Sequence, residues 1–137
     1  MNLDFDASDK AFREEVRAFL KTSLPEDIHR KMMRSAHPEK SDIIRWQRIL
    51  NAKEWAVPHW PAQWGGTNWT PVQRYIFTEE MTQWPAPETL SFNTTMVGPV
   101  LYTFGSEEQK RRFLPATGIA YLQLHIHPTD RILCRIS

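Results

Sequence analysis

Several side chains in this sequence are of the types that acid–base, metal or anion chemistry uses. Glu79 and Glu80 have the chemistry of a general acid and base. Adjacent helix positions diverge by about 100°, so the pair cannot converge on one substrate atom and reads as a solvated helix edge. His125 and His127 would lie on one face of a strand, as zinc ligands sometimes do, but no third ligand has matching placement, and no metal is assigned. His59 has no nucleophile beside it and reads as a satisfied loop histidine. Lys110, Arg111 and Arg112 suit an anionic phosphate, yet bases near a helix C-terminus already complement the helix dipole, and the structural reading is preferred. Cys134 reads as an exposed, unreactive thiol. No catalytic, cofactor-binding or metal-ligating residue is therefore assigned in the chain. What remains is apolar. Phe92, Met96 and Val100 are each four apart and share one helix face, while Leu90, Val97, Leu101 and Phe104 claim the other face for the core. The first row then lacks an internal partner and is either exposed or covered by the tail, which favours self-association. The alternative is that Gly98-Pro99 rotates the helix halves and turns the row into core.

The elements that position these residues follow from charge, capping and periodicity. Of 33 charged residues, 21 fall in the first 54 positions, so the front of the chain looks solvated and the back looks buried. Phe12, Val16, Phe19 and Leu20 recur at helical spacing behind Ser8 and Asp9, giving a first helix over about 8–22. A second helix opens at Pro25, with Glu26/Arg30 and Asp27/Lys31 pairs, and ends before Pro38. A third runs from Ser41 or Asp42 to about Lys53, with Ile43, Trp46, Ile49 and Leu50 as its apolar stripe. Residues 55–69 then hold four tryptophans, two prolines and two glycines, which no helix or strand survives. That loop is expected to be ordered, because each indole has a large apolar surface to bury and an N–H to satisfy. Thr70-Pro71 caps a fourth helix, through Tyr75, Ile76 and Met81, that stops before Pro85. Residues 89–104 form a fifth, interrupted at Gly98-Pro99, and Ser106 to Gln109 is a capping box for a sixth. The fold class is all-α, a six-helix domain over 1–115 with a Trp/Pro/Gly-rich ordered loop.

Residues 116–137 alternate Leu122, Leu124 and Ile126 with polar positions, a half-buried strand pattern. No partner strand is read for it, so the tail is expected to be irregular or loosely attached.

Composition bounds the rest. A chain of 137 residues and 16.1 kDa holds at most one modest domain. A net charge of +1 lacks the basic footprint that nucleic-acid binding uses. One cysteine and an acidic start without an apolar run point to the cytoplasm rather than export. The three charge-free stretches, 55–73, 89–106 and 113–129, are each broken by proline and polar residues, so no membrane span is expected.

Two motifs carry a resemblance. Trp-Ala-Val-Pro-His-Trp-Pro-Ala-Gln-Trp-Gly-Gly at 55–66 and Phe-Gly-Ser-Glu-Glu-Gln-Lys-Arg-Arg-Phe-Leu-Pro at 104–115 resemble elements of the N-terminal helical domain of acyl-CoA dehydrogenases. They stand in the right order, preceded by a charged helical pair and joined by Thr-Glu-Glu-Met and Asn-Thr-Thr-Met-Val-Gly-Pro, which also resemble the family. The resemblance implies the first domain of an FAD-dependent oxidoreductase acting on acyl-CoA. In that family FAD lies between a middle and a C-terminal domain, a C-terminal glutamate takes the α-proton, and the β-hydrogen leaves as hydride to flavin N5. The helix matching 89–104 walls the acyl pocket, which makes Phe92, Met96 and Val100 the substrate-pocket candidates. After Pro115 the sequence no longer resembles the family, and nothing in it matches a flavin-binding motif or the catalytic glutamate. The tail reads as shifted-frame or truncated sequence, or as a native end. The chain is expected to bind no flavin and to be inactive alone. The other reading is non-catalytic: a helical interaction domain, or a pseudogene product.

Overall fold

The computed structural model describes residues 5–89, 92–117, 122–126 and 132–136, with Ala116 and the last two segments described as backbone only. Among the described residues six α-helices lie between 7 and 117, in the order expected of the all-α domain.

Helix α1 (Ala7–Ser23) begins two residues earlier than its capping pattern suggests. Asp6 is extended and its carboxylate accepts the N–H of Asp9 at 2.7 Å, so it caps in place of Ser8. Phe12, Val16 and Leu20 form its buried stripe. Helix α2 (Glu26–Met33) buries Ile28 and ends at Arg34, well before Pro38, where Ser35 turns into the left-handed region at φ 54. Helix α3 (Lys40–Ala52) opens with a capping box between Glu39 and Asp42 and buries Trp46 and Leu50 completely. Helix α4 (Pro71–Gln83) has the expected cap: Thr70 Oγ1 accepts from Gln73 N–H at 3.1 Å, and Thr70 N–H donates to Gln73 Oε1 at 3.0 Å. It packs on α1 through Ile76, Phe77 and Glu80, whereas Tyr75, expected on the apolar side, points outward.

These four helices share one core. Phe12, Leu20, Ile28, Trp46, Leu50 and Ile76 lie within it. The tryptophan loop joins it to a second, thinner layer: Trp55 belongs to the first cluster, while Val57 and Trp60 pack with Leu114 in the second. The loop carries one short 3-10 turn at Ala62–Trp64, a small exception to the reading that no helix survives there. Gly66 is required by close approach, since a Cβ there would stand 1.6 Å from the Trp60 carbonyl oxygen.

The second layer is built from a π-helix (Phe92–Val97) running into α5 (Gly98–Phe104), then α6 (Glu107–Thr117). The interruption expected at Gly98-Pro99 is thus a change of helix type. The Ser106/Gln109 capping box is present, with bonds of 2.9 and 3.2 Å. Helix α6 continues past Pro115, and Thr117 Oγ1 donates to the Phe113 carbonyl at 2.7 Å. Lys110, Arg111 and Arg112 therefore lie mid-helix and not at a C-terminus, so the dipole no longer explains them. Lys110 pairs with Glu107 at 2.9 Å and Arg112 lies over the Phe113 ring.

The tail corrects an expectation. Residues 122–126 and 132–136 pair as an antiparallel ribbon of β1 (Leu122–Ile126) and β2 (Ile132–Ile136), not an irregular, unpartnered segment. Leu122 faces Ile136, Leu124 faces Cys134 and Ile126 faces Ile132. The β-branched and aliphatic residues of 132–136 supply the partner strand that reading 122–126 by itself had missed, and a five-residue connection suits antiparallel pairing. Leu90 and His127 lie outside the described residues, as do the side chains of His125 and Cys134. Among the described residues no helix is long and apolar enough to cross a membrane.

Candidate functional site

The apolar row is on the surface. Phe92 is 55% exposed, Met96 58% and Val100 58%, which rules out the alternative that the helix turns them into core. Asn93, Thr94, Val97 and Gly98 face inward instead. Phe104 was expected on the buried side with Val97 and Leu101, but at 83% exposed it extends the row by a fourth member at the same spacing. At its other end Phe92 borders a cleft of about 540 Å³ whose wall also includes Met32, Pro38, Ile43, Glu88 and Asn93. The row and the cleft together offer an apolar surface with one carboxylate near its end.

What holds this helix comes from the tryptophan loop. Trp60 is buried, and its Nε1–H donates to the Thr94 carbonyl at 2.7 Å. His59 Nε2 reaches the same oxygen at 3.0 Å, and because a carbonyl only accepts, Nε2 carries the proton. His59 is thus a satisfied loop histidine, as read from the sequence, and its partner lies 35 residues away. The indole also packs close to the backbone at Gly98, where a Cβ would stand 2.1 Å from Trp60 Cζ2. Thr94 itself is fully buried and its hydroxyl has no partner. The sequence did hold a signal for this contact: Pro99, five residues after Thr94, cannot donate to it.

The carboxylate pair is not the solvated edge expected. Glu80 is 3% exposed and both of its oxygens are held, Oε1 by Arg13 at 3.0 Å and Oε2 by Arg17 Nε at 2.8 Å. The second arm of Arg13 reaches Glu79 at 2.8 Å. The two side chains do diverge, and one forked guanidinium ties them together. Glu80 raises the Arg17 pKa further by its hydrogen bond. Fixed between two cations, Glu80 clamps α4 to α1.

Ion pairing across α2 and α3 also departs from helical spacing. Glu26 and Arg30 pair at 2.9 Å as expected, but Asp27 turns to Arg45 and Lys31 to Asp42 Oδ2 at 2.7 Å. The hydrogen bond from Lys31, helped by the Glu39 N–H, holds the Asp42 carboxyl below its usual range, and Asp42 in turn raises Lys31. Arg45 likewise lowers Asp27. These pairs stitch helices together and stand away from the apolar row. Among the described residues no group of three or more His, Cys, Asp or Glu side chains is placed to hold a metal ion.

Known proteins resemble this chain in sequence and fold. Residues 6–118 match the family described as acyl-CoA dehydrogenase, N-terminal domain. The chain is 30% identical over 118 residues to acyl-CoA dehydrogenase FadE29 of Mycobacterium tuberculosis, covering 85% of this chain and 29% of that protein. It is 35% identical over 71 residues to acyl-CoA dehydrogenase IpdE1 of the same organism, covering 51% of this chain and 18% of the relative. Among solved structures, the Tcur3481-Tcur3483 steroid ACAD matches with a TM-score of 0.73 and 25% identity over 95% of this chain and 34% of that one. The chain therefore spans about a third or less of the length of these relatives. Capped helices, the tryptophan loop that grips Thr94 and a family match over residues 6–118 lead to one conclusion: this chain belongs to the acyl-CoA dehydrogenase family and corresponds to its N-terminal helical domain.

Proposed function

We propose that this chain is the helical part of an FAD-dependent oxidoreductase that dehydrogenates an acyl-CoA thioester at its α,β positions, and that Phe92, Met96 and Val100 form one wall of the acyl pocket. The carrying observation is the uncovered row on the helix of 92–104, a surface that only an apolar ligand or another apolar surface satisfies. Phe104 lengthens that wall. Four positions at four-residue spacing extend about 18 Å along a helix, room for a large acyl group. The likeness to a structure described as a steroid ACAD makes polycyclic acyl thioesters the substrate class to try first.

The cleft beside the apolar row does not fit FAD. A flavin dinucleotide needs cations or clustered backbone N–H groups for its pyrophosphate. The cleft beside Phe92 is lined instead by Met32, Ile43 and Pro38, with the Glu88 carboxylate as its ionised group and no Lys or Arg. No step is therefore routed through flavin on this chain, whose role is to bind and orient the acyl group and keep water from it.

The same face supports a second reading, a non-catalytic domain that associates with a second copy. One experiment separates the two: residues 6–117 replace the corresponding domain of a complete acyl-CoA dehydrogenase. Flavin should then be reduced on addition of acyl-CoA, and Met96→Ser should raise KM several-fold with kcat little changed, the pattern of lost apolar binding. Kinetics unaltered by substitution at all three positions would overturn the pocket-wall reading and leave association.

A further inference from the structure

We infer that Trp60 and His59 are positioning residues that hold residues 92–97 in π-helical form and so align Phe92, Met96, Val100 and Phe104 in one straight row. The argument begins with the Thr94 carbonyl. In an α-helix it would accept the N–H of Gly98, and its two lone pairs would then hold only one of the two side-chain donors, Trp60 Nε1 and His59 Nε2, that now share it. In a π-helix its donor would be residue 99, which is proline and has no N–H. The π register therefore leaves this one carbonyl open, and the open carbonyl is the one that Trp60 Nε1 and His59 Nε2 occupy at 2.7 and 3.0 Å. Gly98 completes the fit, because any Cβ there would drive the indole away.

The register has a geometric consequence for the row. In a continuous α-helix, residues four apart drift by about 40° each step, so Phe92 and Phe104 would be about 120° out of line. A π turn holds about 4.4 residues and drifts the opposite way, so a π segment to Val97 followed by α cuts the misalignment to about 30°. The exposure of all four side chains agrees with this alignment. The two loop residues thereby set the shape of the exposed row. Its effect on acyl recognition rests on the pocket-wall reading above; the bond register itself does not.

The test reads the register directly in the isotopically labelled 137-residue chain, by NMR couplings transmitted through hydrogen bonds. The parent should show a coupling from the Trp60 indole nitrogen to the Thr94 carbonyl carbon, and amides of 97 and 98 bonded five residues back. In Trp60→Phe, which keeps a ring but removes the donor, the Gly98 amide should couple to Thr94, four residues back. Five-residue couplings that persist in folded Trp60→Phe would overturn the proposal, as would their absence from the parent. If Trp60→Phe does not fold, His59→Ala decides: loss of the outer donor should speed hydrogen exchange of the indole N–H and of amides 96–98 at least tenfold, and unchanged exchange would overturn it. A failed pocket wall shows in the chimeric kinetics and leaves these couplings intact, so the two ideas fail separately.

Discussion

The four helices before residue 84 and the helical pair after residue 91 solve the burial problem in opposite ways. The first region closes on itself: Val16, Ile28, Trp46, Leu50 and Ile76 are fully buried, and Arg13, Arg17, Lys31 and Arg45 tie one helix to the next. The second packs Leu114 against Val57 and Trp60 of the loop, turns Asn93, Thr94 and Val97 inward, and leaves Phe92, Met96, Val100 and Phe104 facing outward. Each large apolar side chain left exposed forgoes about 1.5–3 kcal/mol relative to burial, a sizeable sum beside a domain stability of about 5–15 kcal/mol. A region can carry that cost only if another supplies the stability. The contrast assigns stability to the first region and an outward-facing contact surface to the second.

The largest blow to this division is Trp46→Ala. It empties the centre of the first core and should cost about 3–5 kcal/mol in urea unfolding, abolishing the folded state if total stability is low. Trp46→Phe sharpens the point. The Trp46 indole N–H is buried without a partner, so removing it forfeits no hydrogen bond and the loss should be much smaller. Equal losses in the two variants would mean that packing volume is not what Trp46 contributes.

Next comes Glu80→Gln, which preserves shape but takes the charge from between Arg13 and Arg17. A loss of about 1–3 kcal/mol is expected, since the bonds are charge-assisted but Arg17 is partly in water. Chemical denaturation monitored by far-UV circular dichroism measures it, and a change below about 0.5 kcal/mol would show that apolar packing alone joins α1 to α4.

A smaller effect separates the regions by pH. The Asp42 carboxyl is held below its ordinary value by Lys31, so its contribution to stability is complete above about pH 4, the unfolded-state value, and is lost as pH falls through the folded-state value. Acid titration of unfolding should show stability falling in that window, and Asp42→Asn should flatten this part of the profile. An unaltered profile in Asp42→Asn would place the acid sensitivity elsewhere.

Smallest in stability, though not in behaviour, is Met96→Ser combined with Val100→Ser. Both side chains are exposed, so unfolding should shift by less than about 0.5 kcal/mol per site while sedimentation shows less self-association. A weakening by several kcal/mol would show the row to be core after all and would erase the contrast between the two regions.

Legibility followed the distance over which each interaction acts. The caps at Thr70/Gln73 and Ser106/Gln109 were readable because donor and acceptor lie three residues apart. The four-residue spacing of Phe92, Met96 and Val100 marked a shared face for the same reason. The helical period puts Phe104 beside Val97 and Leu101, but it is the last residue of α5, and its 83% exposure shows that no neighbouring element covers it there. Asp27 and Lys31 were assigned to each other by spacing, yet a second helix placed Arg45 and Asp42 closer to their charges. Glu80 looked like any exposed acid because its two cations lie 67 and 63 residues away. In the tail, alternation marked the first strand, and only pairing revealed the second.

By itself, then, the sequence determined the helices between about 8 and 114, the order of the tryptophan loop and the family, since these depend on caps, periodicity and residue types at short range. Tertiary structure alone decided which charges pair, which way α6 presents its bases and how residues 92–97 are wound. Those outcomes depend on competition for a donor or acceptor, and Thr94 shows the reason: its carbonyl follows the indole that reaches it from 34 residues away, where local winding would have given it to Gly98.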